Sequence, residues 1–131
     1  MVEGIELEDA ADYVLVIDDD ADLRESLGLM LSAAGHAFVT ARDGLDALAH
    51  LRAEGPRPCV VLLDLMMPRM SGFELRALMK ADPSLAFIPV IILTGADLAA
   101  TRRRDELDAE VLFKPVEVRQ LLQVVERHCA H

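Results

Sequence analysis

The chain has 131 residues, 53% of them apolar and 27% charged, which suits one domain with a core of its own and excludes a disordered tail. Its 23 acidic and 13 basic residues give a net charge of −10, a balance that repels phosphate backbones and anionic membranes and favours a divalent cation or a basic partner surface. Aromatics make up only 4% and Trp is absent, which disfavours stacking on nucleic-acid bases as a mode of action.

Residues 1–12, with Glu3, Glu6, Glu8, Asp9 and Asp12, read as an acidic N-terminal extension, and 13–128 as the folded domain. Tyr13 to Ile17 is an apolar run without alternation, the pattern of a strand covered on both faces. Asp18-Asp19-Asp20 ends it, and Leu23, Leu27, Met30, Leu31 and Ala34 then form a helical stripe stopped by Gly35. A short strand over 37–40 precedes a helix opened by Asp43-Gly44 and carrying Leu45, Leu48 and Leu51. Cys59 to Leu63 is a second doubly covered strand, ended by Asp64. A loop rich in Met follows, then a helix with Leu75, Leu78 and Met79. Val90 to Leu93 forms a further strand ended by Thr94-Gly95, and a polar helix is expected over 97–106. Val111-Leu112-Phe113, ended by Lys114-Pro115, is the last strand, and Val118, Leu121, Leu122 and Val125 mark an amphipathic final helix.

Five strands alternating with five helices predict a single-domain α/β fold, a doubly wound parallel sheet with helices on both faces. No stretch approaches the roughly 18 apolar residues of a membrane span, and acids stand where a signal peptide would be basic. The two cysteines, Cys59 and Cys129, are too few for a disulfide framework, and Cys59, in an apolar run, reads as a buried thiol. A soluble, cytoplasmic protein in a reducing compartment is the expectation.

Polar side chains gather at the carboxyl ends of the strands: Asp18, Asp19 and Asp20 after the first, Asp64 after the third, Thr94 after the fourth, Lys114 after the fifth. Open α/β sheets bind ligands there, where the strand order reverses. In the common order 2-1-3-4-5 that point lies between strands 1 and 3, about 4.8 Å apart, so Asp18, Asp19 and Asp64 would crowd together. Crowded carboxylates need counter-charge, and a hard dication with the Lys114 ammonium would supply it. Neither His nor Cys stands at these strand ends, which argues against zinc. A carboxylate, a hydroxyl, an ammonium and Mg²⁺ form a phosphoryl-transfer constellation, with an acyl phosphate as the covalent product.

From Tyr13 to Arg127 the chain resembles the receiver domain of two-component response regulators. The resemblance rests on four segments in order: Val14 to Asp20, Asp64 to Gly72, Pro89 to Gly95, and Phe113-Lys114-Pro115. It implies the flavodoxin- and CheY-like (βα)5 arrangement. It also implies that Asp64 is the phosphoacceptor, that Asp18, Asp19, Asp64 and the Met66 backbone carbonyl hold Mg²⁺ (or Mn²⁺), and that Thr94 and Lys114 contact the phosphoryl group. The Lys114-Pro115 bond would be cis. The donor would be a phosphohistidine on a sensor histidine kinase or a histidine phosphotransfer protein. The fourth predicted helix, fifth strand and fifth helix would form a partner face, including that of a phosphorylation-dependent homodimer.

Three features depart from the family pattern. Val111 stands where the family usually carries the Tyr or Phe that moves with the threonine, and Phe113, two residues on and on the same side of the strand, is the candidate stand-in. The stretch from Thr94 to Lys114 is slightly short. Met66 and Ala96 offer no hydrogen bond to a hydrolytic water, which implies a long-lived phosphoryl group. The competing reading is an aspartyl-phosphate phosphatase of haloacid dehalogenase type, with Asp18 as nucleophile and Asp20 as general acid. Against it, Ala21-Asp22 replaces the expected Gly-Thr, and it leaves the Asp64 loop unexplained.

Overall fold

The computed structural model describes residues 13–95 and 109–129. The expected acidic extension over 1–12 and the expected helix over 97–106 lie outside the described residues. The described elements, in chain order, are β1 (Tyr13–Ile17), α1 (Ala21–Ala33), β2 (Ala37–Ala41), α2 (Gly44–Arg52), β3 (Val60–Asp64), α3 (Gly72–Ala81), β4 (Val90–Thr94), β5 (Glu110–Phe113) and α4 (Val118–His128). The strands form one parallel sheet in the order β2-β1-β3-β4-β5.

The apolar runs explain the layering. Along β1 and β3, successive side chains point to opposite faces, and both faces are buried. Leu15, Ile17, Val61, Leu63 and Ile92 pack on the side of α2 and α3, with Leu48, Leu51, Leu75 and Met79. Val14, Val16, Val60, Leu62 and Leu93 pack on the other side with Leu27 and Leu31 of α1 and Leu121 and Val125 of α4. Each helix therefore needs one apolar stripe only, which is what its sequence supplies.

Side chains hold the helix starts. Asp20 caps α1 by accepting from the Asp22 and Leu23 amides, and Asp43 caps α2 by accepting from Asp46. Ser71 and Glu74 form a reciprocal capping box at the start of α3. Gly35, at φ 85°, ends α1 in the left-handed region that a side chain would resist.

Two strands run one residue further at their C-terminal ends than hydrophobicity alone indicates. Asp64 and Thr94 carry polar side chains, yet both remain in the ladder, opposite Leu93 and Phe113 respectively. Backbone pairing continues where the apolar pattern stops.

Cysteine chemistry corrects the sequence-based expectation. Cys59 is not a free thiol: it is joined to Cys129, with Cα atoms 5.4 Å apart and a sequence separation of 70. Cys129 follows α4 directly and is buried, and Cys59 donates its amide to Tyr13 O at 2.9 Å immediately before β3. A bonded pair belongs to oxidising surroundings, so the cysteines give no support to the expected reducing compartment. Among the described residues no helix is long and apolar enough to cross a membrane.

Closing a loop of this length restricts the unfolded chain. Reduction with dithiothreitol, or Cys129→Ser, is expected to lower stability by about 4 kcal/mol in urea unfolding. Unchanged unfolding, together with two titratable thiols in untreated protein, would show that the bond does not form.

Candidate functional site

The site is built by sheet register. β1 and β3 are neighbours, with Ile17 opposite Leu63, so Asp18 and Asp64 follow side by side at the same sheet end. Asp18 is fully buried and Asp64 nearly so, at 4% exposure. Asp19 is exposed, and one carboxylate oxygen from each of Asp18, Asp19 and Asp64 falls within 4.8 Å of the others.

Lys114 follows β5 and reaches back across the sheet end. Its Nζ donates to Asp18 Oδ2 at 3.0 Å and to Asp64 Oδ1 at 3.2 Å. The Lys114 backbone amide donates to Thr94 O at 2.7 Å, which fixes the lysine to the end of β4. The Lys114–Pro115 peptide bond is cis. Asp18 has further partners: its Oδ1 accepts from the Asp20 amide at 2.9 Å, and its carbonyl accepts from Arg24 Nη1 at 2.8 Å. The Met66 amide lies 3.4 Å from Asp64 Oδ1, while the Met66 side chain is exposed.

Burial pushes the Asp64 carboxyl up to about 6, the neighbouring Asp18 charge adds to the rise, and Lys114 opposes it. For Lys114, burial works against the charged form, but its bonds to Asp18 and its attraction to Asp64 prevail and the pKa is raised. The ammonium is thus locked in its charged state. Three carboxylates facing one ammonium leave two negative charges uncompensated when all are ionised. Such an all-oxygen set, partly buried and open at Asp19, could hold a hard dication.

The remaining sequence-derived candidates fall around this centre. Thr94, buried, ends β4 next to β3. Val111 stands opposite Ile92 and packs, half-buried, into the α2–α3 side of the core. Phe113 is the register partner of Thr94 itself. Ala96 lies outside the described residues. Asp20 is taken up by capping α1, an engagement at odds with the general-acid role that the phosphatase reading requires. Sequence reasoning missed two features. Arg24, which the apolar stripe of the first helix does not include, donates to the Asp18 carbonyl, and Arg69, in the loop after Asp64, ion-pairs with buried Asp43. The signal for the second was a lone arginine in a loop, visible only once φ is known: Arg69 adopts φ 68°.

Comparison with known proteins agrees with this geometry. The family model of the response regulator receiver domain matches residues 14–126. The chain is 32% identical over 117 residues to protein PilG of Pseudomonas aeruginosa, covering 88% of this chain and 85% of PilG. It is 38% identical over 113 residues to response regulator MprA of Mycobacterium avium, covering 83% of this chain but only 47% of MprA, so it spans about half the length of that relative. Among solved structures, the signal receiver domain of a signal transduction histidine kinase from Syntrophus aciditrophicus superimposes with a TM-score of 0.80 at 30% identity, covering 88% of this chain and 87% of that one. The chain belongs to the response regulator receiver domain family. Receiver domains of this kind are signalling domains that receive phosphoryl groups from histidine kinases.

The raised Asp64 pKa makes ionisation of this residue unfavourable to the fold. Between about pH 4 and pH 6 the folded chain holds a proton that the unfolded chain releases, so this contribution to stability is full at low pH and lost as pH rises through 6. In EDTA, Asp64→Asn is therefore expected to raise stability at pH 8 by about 1–3 kcal/mol, a gain that shrinks as the pH falls toward 4. Urea unfolding of both proteins at pH 8 and pH 5 checks this; a variant less stable than wild type at pH 8 contradicts it.

Proposed function

We propose that this domain is a phosphorylation-driven switch in which Asp64 accepts a phosphoryl group from phosphohistidine on a sensor histidine kinase or a histidine phosphotransfer protein. The observation that carries the reading is the placement of Asp64 beside buried Asp18, with Lys114 bridging both. The Asp64 carboxylate attacks phosphorus, the O–P bond forms as the P–N bond breaks, and the imidazole leaves with its electron pair and is protonated. Lys114 is placed to follow the developing charge on a phosphoryl oxygen, moving from its carboxylate partners to the phosphate. Thr94, at the neighbouring strand end, supplies a hydroxyl for a second oxygen.

Asp18, Asp19, Asp64 and the Met66 carbonyl would hold Mg²⁺, or Mn²⁺, in this scheme. The oxygen-only donor set and the two uncompensated charges support that choice over a softer metal. When bound, the ion would neutralise charge on the transferring group. The domain, 13–128 in our division of the chain, catalyses its own phosphorylation and dephosphorylation and no other turnover. The phosphatase alternative based on Asp18 has no support from the family match. A cytoplasmic location is proposed on the kinase partnership alone, and the Cys59–Cys129 bond speaks against it.

Phosphorylation would be read on the face around β5 and α4, where Val111, Leu112, Gln120 and Val124 line a groove. A homodimer through this face, extended by the expected helix over 97–106, is the arrangement we favour. With Val111 in place of the usual aromatic ring, Phe113 opposite Thr94 is the side chain placed to respond.

Intact mass after incubation with acetyl phosphate and Mg²⁺ tests the chemistry: one added phosphoryl group, absent in Asp64→Asn and with EDTA. Labelling that survives in Asp64→Asn but is lost in Asp18→Asn would overturn the assignment. Because Met66 offers only an exposed thioether near Asp64, we expect the acyl phosphate to persist for minutes or longer after the donor is removed. Loss within seconds would contradict this.

A further inference from the structure

The loop between Asp64 and α3 is clamped at its base and tied at its tip. At the base, the Gly72 amide donates to Leu65 O at 2.9 Å. There is no room for a side chain there: a Cβ on Gly72 would stand 2.4 Å from Asp64 O and 2.7 Å from Leu65 Cα. Near the tip, the Met70 amide donates to Pro68 O at 2.7 Å, closing a three-residue turn with Arg69 at its centre. Arg69 adopts φ 68°, a left-handed conformation that is uncommon for a residue with a side chain and is sustained by surrounding contacts.

Those contacts come from the β2–α2 corner. The Arg69 guanidinium ion-pairs with Asp43 Oδ2. Asp43 is buried, at 3% exposure, and its other oxygen accepts from the Asp46 amide at 2.8 Å at the start of α2. Next to it, a Cβ on Gly44 would stand 2.9 Å from Met70 Cβ and 3.0 Å from Met70 O, so the loop lies directly on the first turn of α2. Met66, whose carbonyl would join the proposed cation site, lies in sequence between the clamped base and this tied tip.

We propose that the Arg69–Asp43 ion pair is a latch that positions the loop following Asp64, making Arg69 a positioning residue for cation binding and for phosphoryl transfer at that site. The inference rests on the reading of Asp64 as phosphoacceptor, and it assigns a task to two residues outside the acidic cluster. Arg69 pairs with Asp43, and on this proposal it acts by holding the backbone from Met66 to Met70. The latch also joins the site to β2–α2, a corner with no carboxylate in the cluster.

The test compares the full-length wild type with Arg69→Ala, Arg69→Lys, Asp43→Asn and the Arg69→Ala/Asp43→Asn double variant. Asparagine keeps an oxygen to cap α2 while removing the charge that Arg69 needs. Mg²⁺ binding is measured by titration calorimetry without phosphodonor. The Mg²⁺ concentration for half-maximal acetyl phosphate labelling is read by intact mass, and melting temperature serves as a control. Both single variants are expected to weaken Mg²⁺ binding by about tenfold, Arg69→Lys to recover part of the loss, and the double variant to lose no more than either single one. Arg69→Ala leaves the buried Asp43 carboxylate without its partner and should lower the melting temperature, whereas the double variant, with no stranded charge, should melt closer to wild type. Unchanged Mg²⁺ affinity in Arg69→Ala would overturn the latch, as would additive losses in the double variant. A wild type that binds Mg²⁺ but takes no label would reject the phosphoacceptor reading while the calorimetric comparison still decides the latch. A wild type that binds no Mg²⁺ would reject both.

Discussion

One ammonium holds two carboxylates at the centre of this molecule. Asp18 and Asp64 stand at the ends of adjacent strands, largely shielded from bulk water, and Lys114 bridges them at 3.0 and 3.2 Å. Left alone, two buried neighbouring carboxylates would resist ionisation, and the Asp64 carboxyl, up at about 6, still carries part of that cost. The sheet imposes the crowding: the β1–β3 register leaves the two aspartates side by side, and the hydrophobic runs behind them keep the strands from moving apart. The lysine comes from the far edge strand, so the whole width from β1 to β5 has to be assembled before the charges balance. Core packing and site electrostatics are in this sense one constraint.

Much of the fold was legible because parallel strands buried on both faces leave a plain record. Tyr13–Ile17 and Val60–Leu63 contain no polar residue, and β1, β3 and β4 all stand where apolar runs predict them. The acidic and basic strand ends were legible for the same reason, since each interrupts an apolar run abruptly. What hydrophobicity could not register is pairing that persists beneath a polar side chain, as at Asp64 and Thr94. Long-range partners left no periodic trace either. Cys59 and Cys129 are separated by 70 residues, and only the return of α4 to the foot of β3 brings them together. The Arg69–Asp43 pair depends on a left-handed turn at an arginine, which nothing in residue type foretells.

The β4–β5 edge departs from the family in composition more than in layout. Val111 packs into the core where an aromatic ring is usual, and Leu112, its neighbour, packs on the opposite side of the sheet. A branched aliphatic side chain has no ring to swing, and the ring on this edge is that of Phe113, in register with Thr94. The acidic cluster of Asp18, Asp19 and Asp64 and the lysine that bridges two of them are all in place, so the divergence lies on this edge and not at the cluster.

The link between Cys59 and Cys129 also has a mechanical meaning. Cys129 marks the exit of α4, and Cys59 sits one residue before β3, the strand that ends in Asp64. Five residues of strand span about 16 Å, so the anchor lies at the opposite end of β3 from Asp64 yet on the same rod. A pull applied to the chain beyond residue 129 would not peel α4 away from the sheet. The load would pass through the sulfur bridge into β3, in line with the strand axis, and would reach the acidic cluster as tension in the strand that ends in Asp64.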